Sequence, residues 1–246
     1  MLESPAMKDR KFSRAERSSR LSASAREVNH DSRTGLWLVT VVAILSCAVL
    51  ASLVQLRLLQ SFDLRFTLSI QKFANAPFDR ISETLSLVFS SEGTSVVALF
   101  ISYFLWRDGL KRWSLLPFAF AIPVVVEVVL RFFIHQPAIP PQLYREGSYP
   151  LLNPSLPSSF PSGHTIRSSF LCMLGLSSLR GRHGRDNAFR WLSIALLVIL
   201  FVIAALSRVY LGTHWLSDVI AGICLGTTAG LWTAAEIARR RRRLVS

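Results

Sequence analysis

Ser207-Arg208-Val209-Tyr210-Leu211-Gly212-Thr213-His214-Trp215-Leu216-Ser217-Asp218 stands between two apolar runs, at about 189–206 and about 214–237. A bilayer core needs about 20 apolar residues per helix, and both runs approach that length. The stretch therefore reads as the link between two membrane-spanning helices. It contains an arginine, a histidine and a carboxylate. Ionisable groups at such a place are costly and mark functional sites.

Four more runs lie upstream, at about 36–56, 85–106, 113–134 and 164–179. The second is weakened by Ser90, Ser91, Glu92 and Gly93, and the fourth is short. The expectation is an all-α fold, a polytopic membrane helix bundle of about six spans. Residues 57–84 mix apolar and charged positions and read as an interfacial helix that ends near Pro77. Composition agrees, with 51% hydrophobic and only 17% charged residues, where soluble domains carry about a quarter charged. Cys47, Cys172 and Cys224 all fall in apolar runs and read as small hydrophobes rather than a disulfide framework. No internal repeat stands out.

A net charge of +13 raises the question of nucleic acid. The distribution answers it. Of the 28 Lys and Arg, 20 lie in the N-terminal tail, the loops near 107–112 and 180–190, and the Arg239–Arg243 run. Those segments fall on one side of a six-span bundle, so the positive-inside rule makes both termini cytoplasmic. The basic tails become anchors that also meet anionic lipid, and no nucleic-acid partner is expected. The organisation expected is a disordered basic cytoplasmic tail at 1–34, a six-span domain at 35–238 and a basic cytoplasmic tail at 239–246. The 1–34 segment lacks the apolar core of a signal peptide.

On the opposite side lies a second polar stretch, Phe160-Pro161-Ser162-Gly163-His164, at the start of the fourth span. Pro and Ser suit a helix start, and Gly lets a ligand approach the backbone. Free amides at a helix N-terminus bind phosphate. His164 would stand beside it, placed to protonate a leaving oxygen. His214 and Asp218 are four residues apart, on one face if helical. Asp218 would fix the tautomer of His214 and raise the basicity of its other nitrogen, which makes it a nucleophile candidate. Arg208 offers a planar fork for two phosphoryl oxygens. Positioning and charge stabilisation are most of what phosphoryl transfer needs. Inter-helix hydrogen bonding by the two histidines, and a metal held by two His and an Asp, are the rival readings. The arginines nearby suit an anion better than a cation.

These two stretches resemble the second and third signature motifs of the type-2 phosphatidic acid phosphatase superfamily, which includes the vanadium haloperoxidases. The family pattern is Pro-Ser-Gly-His, then Ser-Arg, five residues, His, and Asp soon after. The resemblance spans about 36–237. It implies His214 as a nucleophile forming a phosphohistidine, supported by Asp218. It implies His164 as general acid and Arg208, Ser162 and Gly163 as phosphate ligands, with no metal cofactor. The first family motif, Lys, six residues, Arg-Pro, is altered. If Arg131 takes the Lys place, Ala138 and Ile139 hold the Arg-Pro positions. If Gln136-Pro137 takes the Arg-Pro place, Val129 holds the Lys position. The first register keeps a cation at the site. Arg167, three residues after His164, is expected to reach the phosphate site in compensation, with Arg145 as a further candidate. Glu127 is expected to pair with one of these arginines. Tyr210 and Trp215 read as interfacial belt aromatics.

The implied function is hydrolysis of a membrane lipid phosphomonoester or diphosphate: phosphatidate, phosphatidylglycerol phosphate or polyprenyl diphosphate. The setting is the plasma (inner) membrane, with the site on the periplasmic or extracellular side. A lipid phosphotransferase and a non-catalytic lipid-phosphate binder are the alternatives. A haloperoxidase fits poorly with six spans. The sequence is silent on oligomeric state.

Overall fold

The computed structural model describes residues 34–145, 157–180 and 187–245. The chain divides into Met1–Val41 and Val42–Ser246. Of the first unit, the described residues are the opening turns of a helix; the expected tail at 1–34 otherwise lies outside the described residues. The second unit carries the remaining structure, and no strand occurs among the described residues.

Among the described residues, eight α-helices follow in order: α1 Thr34–Gln55, α2 Gln60–Gln71, α3 Ala76–Val88, α4 Ser91–Arg107, α5 Ala121–Phe133, α6 Gly163–Arg180, α7 Asn187–Tyr210 and α8 Leu216–Val245. Among the described residues, four segments are long and apolar enough to cross a bilayer: α1, Lys111–Phe133, Ala188–Tyr210 and Leu216–Arg242. The pair α3 and α4, bent by 58°, makes a fifth if counted as one broken span. No more than 33% of any of the four apolar windows is buried, so apolar side chains face outward along them. An apolar girdle of this kind is what lipid contact requires.

The fourth expected span, α6, is helical over all 18 of its residues but does not have the apolar composition of a span. Its neighbours explain this. It packs chiefly against α8 and α7. Thr165, Ser168 and Ser169 are buried there, and Ser168 and Ser169 donate their hydroxyls to the Thr165 carbonyl at 3.1 and 2.7 Å. The contact with α8 is close because Gly222, Gly226 and Gly230 line one face of α8. A Cβ at Gly226 would overlap the Ile166 carbonyl, and one at Gly230 would stand 2.8 Å from the Phe170 carbonyl.

The stretch between α1 and α4 differs from the expected single interfacial helix. Pro77 opens α3 instead of ending a helix. Proline has no N–H to lose in a first turn, and Asn75 caps that turn by accepting from the Phe78 amide at 2.9 Å. The weak point of the expected second span is the break itself. Ser90 accepts from the Gly93 amide at 3.0 Å and starts α4 afresh.

At the far end, α8 runs on through the expected tail boundary at 238. Glu236 pairs with Arg239 at 2.7 Å and with Arg240 at 2.5 Å. The Arg240 guanidinium lies 3.7 Å from the ring centre of Trp113, and Arg241 pairs with Asp108 at 2.8 Å. Part of the basic run is thus docked on the turn after α4. Cys47, Cys172 and Cys224 are free thiols.

Candidate active site

The link between α7 and α8 is a closed turn. The Arg208 carbonyl accepts from the Thr213 amide at 3.1 Å, the His214 amide at 3.2 Å and the Thr213 hydroxyl at 3.0 Å. Gly212 sits at φ +68, a left-handed conformation that favours glycine. This closure fixes the interval from Arg208 to His214. The expectation of His214 and Asp218 on one helix is corrected here: His214 precedes α8. Helix α8 starts after Trp215 because the Asp218 carboxylate reaches back to the Trp215 amide at 2.9 Å. That is the third-residue half of a capping box. The same oxygen, Oδ2, lies 3.4 Å from His214 Nδ1. Asp218 is fully buried.

The second polar stretch is tied to this turn directly. The Ser162 amide donates to the Asp218 carbonyl at 3.0 Å, joining the start of α6 to the start of α8. Ser162 Oγ accepts from Thr165 Oγ1 at 3.0 Å. Gly163 is the first residue of α6, and the first amides of a helix have no partner within it. His164 lies within electrostatic range of Arg208, Arg167, His214 and Arg131. His214 lies within range of Asp218, Arg131 and Arg208. Nε2 of His164, Nδ1 of His214 and Oδ1 of Asp218 are buried without a hydrogen-bond partner. Burial lowers the pKa of His214 and the Asp218 carboxylate partly opposes that.

Each expected arginine has a definite place. Arg208 is 3% exposed and donates to the Ser82 carbonyl of α3 at 3.3 Å. Arg131, at the end of α5, pairs with Glu127 Oε1 at 2.7 Å and donates to the Pro161 carbonyl at 3.2 Å. Arg167 is buried and turned inward, with Nε donating to the Phe89 carbonyl at 3.0 Å and Nη1 at 4.0 Å from Glu127. Its carbonyl partner is freed by the break between α3 and α4. Glu127 thus pairs with two arginines of the site.

Arg145 does not join them. Its Nε and Nη2 both donate to Asp79, at 2.8 Å each, and its guanidinium stacks 5.3 Å from the Tyr210 ring centre. Tyr210 and Trp215 are also corrected: neither is a belt aromatic. Tyr210 is fully buried and donates to Asp79 at 2.6 Å. Trp215 is 3% exposed and donates Nε1–H to the Pro137 carbonyl at 2.8 Å. An aromatic at a span end has the same sequence signature whether it faces lipid or protein.

One carboxylate escaped the sequence reading. Asp63 of α2 accepts from the Ser217 amide at 3.0 Å and from its hydroxyl at 2.7 Å. Gln136 also donates to that hydroxyl at 3.3 Å. Burial raises the Asp63 pKa, opposed by the two Ser217 bonds. The only signal was a lone acid among the apolar residues of 62–66. Among the described residues, no three His, Cys, Asp or Glu side chains are spaced to hold a metal ion.

The family model described as "PAP2 superfamily" matches residues 113–242. The curated protein "Putative undecaprenyl-diphosphatase YbjG" of Escherichia coli (strain K12) is 30% identical over 167 residues, which is 65% of this chain and 76% of that protein. Among solved structures, a transmembrane PAP2-type phosphatidylglycerolphosphate phosphatase from Bacillus subtilis superposes with a TM-score of 0.65. It is 20% identical and the match covers 81% of this chain and 96% of that one. With the family model matching more than half its length, this chain belongs to the PAP2 superfamily.

Proposed function

We propose that the protein is an integral-membrane phosphatase that hydrolyses a lipid phosphomonoester or diphosphate through a phosphohistidine on His214. One observation carries the reading. Two histidines, His164 with Nε2 buried and unpartnered and His214 with Nδ1 turned to Asp218, meet three arginines at the joined starts of α6 and α8. Neutral imidazole supplies a nucleophile, and the arginines and helix amides supply an anion cradle.

The chemistry balances as follows. His214 attacks phosphorus through Nε2, and the bond from phosphorus to the lipid-side oxygen breaks. His164 gives its proton to that oxygen. Water then attacks the phosphohistidine, His164 takes the water's proton, and orthophosphate leaves. Asp218 holds the His214 ring and balances the charge it gains. Ser162, Gly163, Arg208 and Arg131 hold phosphoryl oxygens. Arg167 acts beside Glu127 and His164. The chain's own residues perform every step.

The substrate's tail lies in the bilayer, because the site caps helices with lipid-facing sides. Phosphatidylglycerol phosphate and polyprenyl diphosphate are the first candidates, being the classes named for the two relatives. For sidedness, Asp218 and Arg240 are separated by roughly 33 Å along α8 at 1.5 Å per residue. The basic end takes the cytoplasmic face by charge. That supports a site facing away from the cytoplasm, with the C-terminal end of α8 cytoplasmic.

The test is hydrolysis by the purified protein of a panel of lipid phosphates with EDTA present, beside His214→Ala. Release of orthophosphate by the wild type alone supports the reading. A requirement for added metal, or phosphate transfer only to an acceptor lipid, would overturn it.

A further inference from the structure

Glu127 is an odd residue for a phosphate site. Its carboxylate is negative where an anion must bind, and its side chain is 8% exposed. Its placement sharpens the oddity. A Cβ built on Gly163 would collide with both carboxylate oxygens, so the carboxylate lies flat against the first residue of α6. That is the helix end to which a phosphoryl group would be drawn. Oε1 takes one Arg131 nitrogen at 2.7 Å. Oε2 has no hydrogen bond, and stands 4.0 Å from Arg167. Arg131 Nε is buried and unpartnered beside it.

A planar carboxylate with two oxygens leaves this set of donors half used. A tetrahedral phosphoryl group brings three oxygens, and can meet Arg131 Nε, Arg167 and the α6 amides together. We propose that the Glu127 carboxylate is a resident anion of the phosphoryl pocket, holding Arg131 and Arg167 across the start of α6 until the phosphoryl group of the substrate displaces it. The proposal rests on the phosphatase reading above. It explains how Arg131 and Arg167 keep their places at the start of α6 without substrate, since unpaired buried charges are strongly disfavoured. It also explains why Gly163 tolerates no side chain.

Competition has a sign that a merely positioning role does not share. If Glu127 competes with phosphate, removing its charge tightens anion binding. If it only orients Arg131, removal loosens it. The experiment measures orthophosphate in two ways with the purified protein in detergent. One is inhibition of lipid-phosphate hydrolysis; the other is the rise in thermal midpoint with added orthophosphate, which needs no turnover. Glu127→Gln should bind orthophosphate about tenfold tighter or more, equivalent to about 1.4 kcal/mol. Glu127→Asp keeps the charge but draws the carboxylate one methylene away from Gly163, and should fall between Gln and wild type. If Glu127→Gln does not fold, Glu127→Asp decides alone. Unchanged or weaker binding in the variants overturns the assignment. So does tightening in Gln with none in Asp, which would mean a general field effect. A wild type that neither hydrolyses lipid phosphates nor responds to orthophosphate would instead sink the phosphatase reading.

Discussion

Helices α6 and α7 are neighbours with opposite chemistry. Along α7, Leu192, Leu196 and Ile199 are more than half exposed, as a lipid-facing helix requires. Along α6, the hydroxyls of Ser168 and Ser169 are buried and bonded to a carbonyl one turn back. A hydroxyl satisfied within its own helix needs no water. A helix enclosed by others can therefore be polar at membrane depth, while an outer helix cannot. The polar helix is also the one that opens with Gly163 and His164. Its polarity and its place in the site have one cause: its first turns are enclosed by other helices.

The largest expected effect falls at the polar junction. His214→Ala should lower hydrolysis on the order of 10⁴-fold or more, since removing a nucleophile also removes the step it splits. His164→Ala should cost about 10²–10⁴-fold, the range for one proton-transfer group. Thermal midpoints near the wild-type value would assign both losses to chemistry. Substantial hydrolysis by His214→Ala would end the phosphohistidine proposal.

Next comes the close contact that hides α6. Gly226→Leu forces a side chain into the Ile166 carbonyl, and overpacking of this kind costs about 1–3 kcal/mol or more. It should lower the thermal midpoint and the yield of folded protein. Leu196→Ala on α7, at a position 58% exposed, should leave both nearly unchanged. Equal tolerance of the two changes would break the comparison between a protein-facing and a lipid-facing helix.

A smaller effect follows from the buried His214. Its folded-state pKa is lowered, chiefly by burial, so the unfolded chain takes up the proton first as pH falls below about 6.5. Stability should therefore fall with pH from about 6.5 down to the lowered value, where the loss is complete. The same neutrality keeps the nucleophile active below pH 6.5. The acid limb of kcat/KM should lie under that value, with a slope of about tenfold per pH unit. An acid limb above pH 6.5 would mean that Asp218 outweighs burial.

These expectations divide by how the residues were legible. His164, His214, Asp218 and Arg208 were readable because a closed turn and two helix starts hold them at short fixed spacings. Glu127 and Arg167 were readable as charges in apolar runs, which must find each other. Asp63 was not, since its partner Ser217 lies 154 positions away and nothing local announces the pair. The glycines of α8 carry no signal of their own, because three small residues in an apolar run only acquire meaning beside α6. Pro77 and the break at Ser90 show the limit of span-finding. Both are helix starts that look like helix ends when only hydropathy is read.

The smallest effect separates two kinds of arginine. Arg131, Arg167 and Arg208 are nearly buried and lie within range of His164. The Arg145 side chain is 31% exposed, its Asp79 partner 26%, and Arg145 is committed to that carboxylate through Nε and Nη2. Its amide also donates to the Leu211 carbonyl, so it fastens the chain before the site to the turn that bears His214. A partly exposed pair of this kind is worth about 0–1 kcal/mol. Arg145→Ala should thus change kcat/KM by less than about threefold and the thermal midpoint by a few degrees at most. Arg208→Ala removes a cation within range of both histidines and should cost at least 10²-fold, on the order of the loss for one charge-stabilising donor. If Arg145→Ala matched Arg208→Ala, Arg145 would have to leave Asp79 for the phosphoryl group during turnover. The Asp79 pair would then be the resting state of a fourth phosphate ligand, and Asp79→Asn, by freeing Arg145, should lower KM.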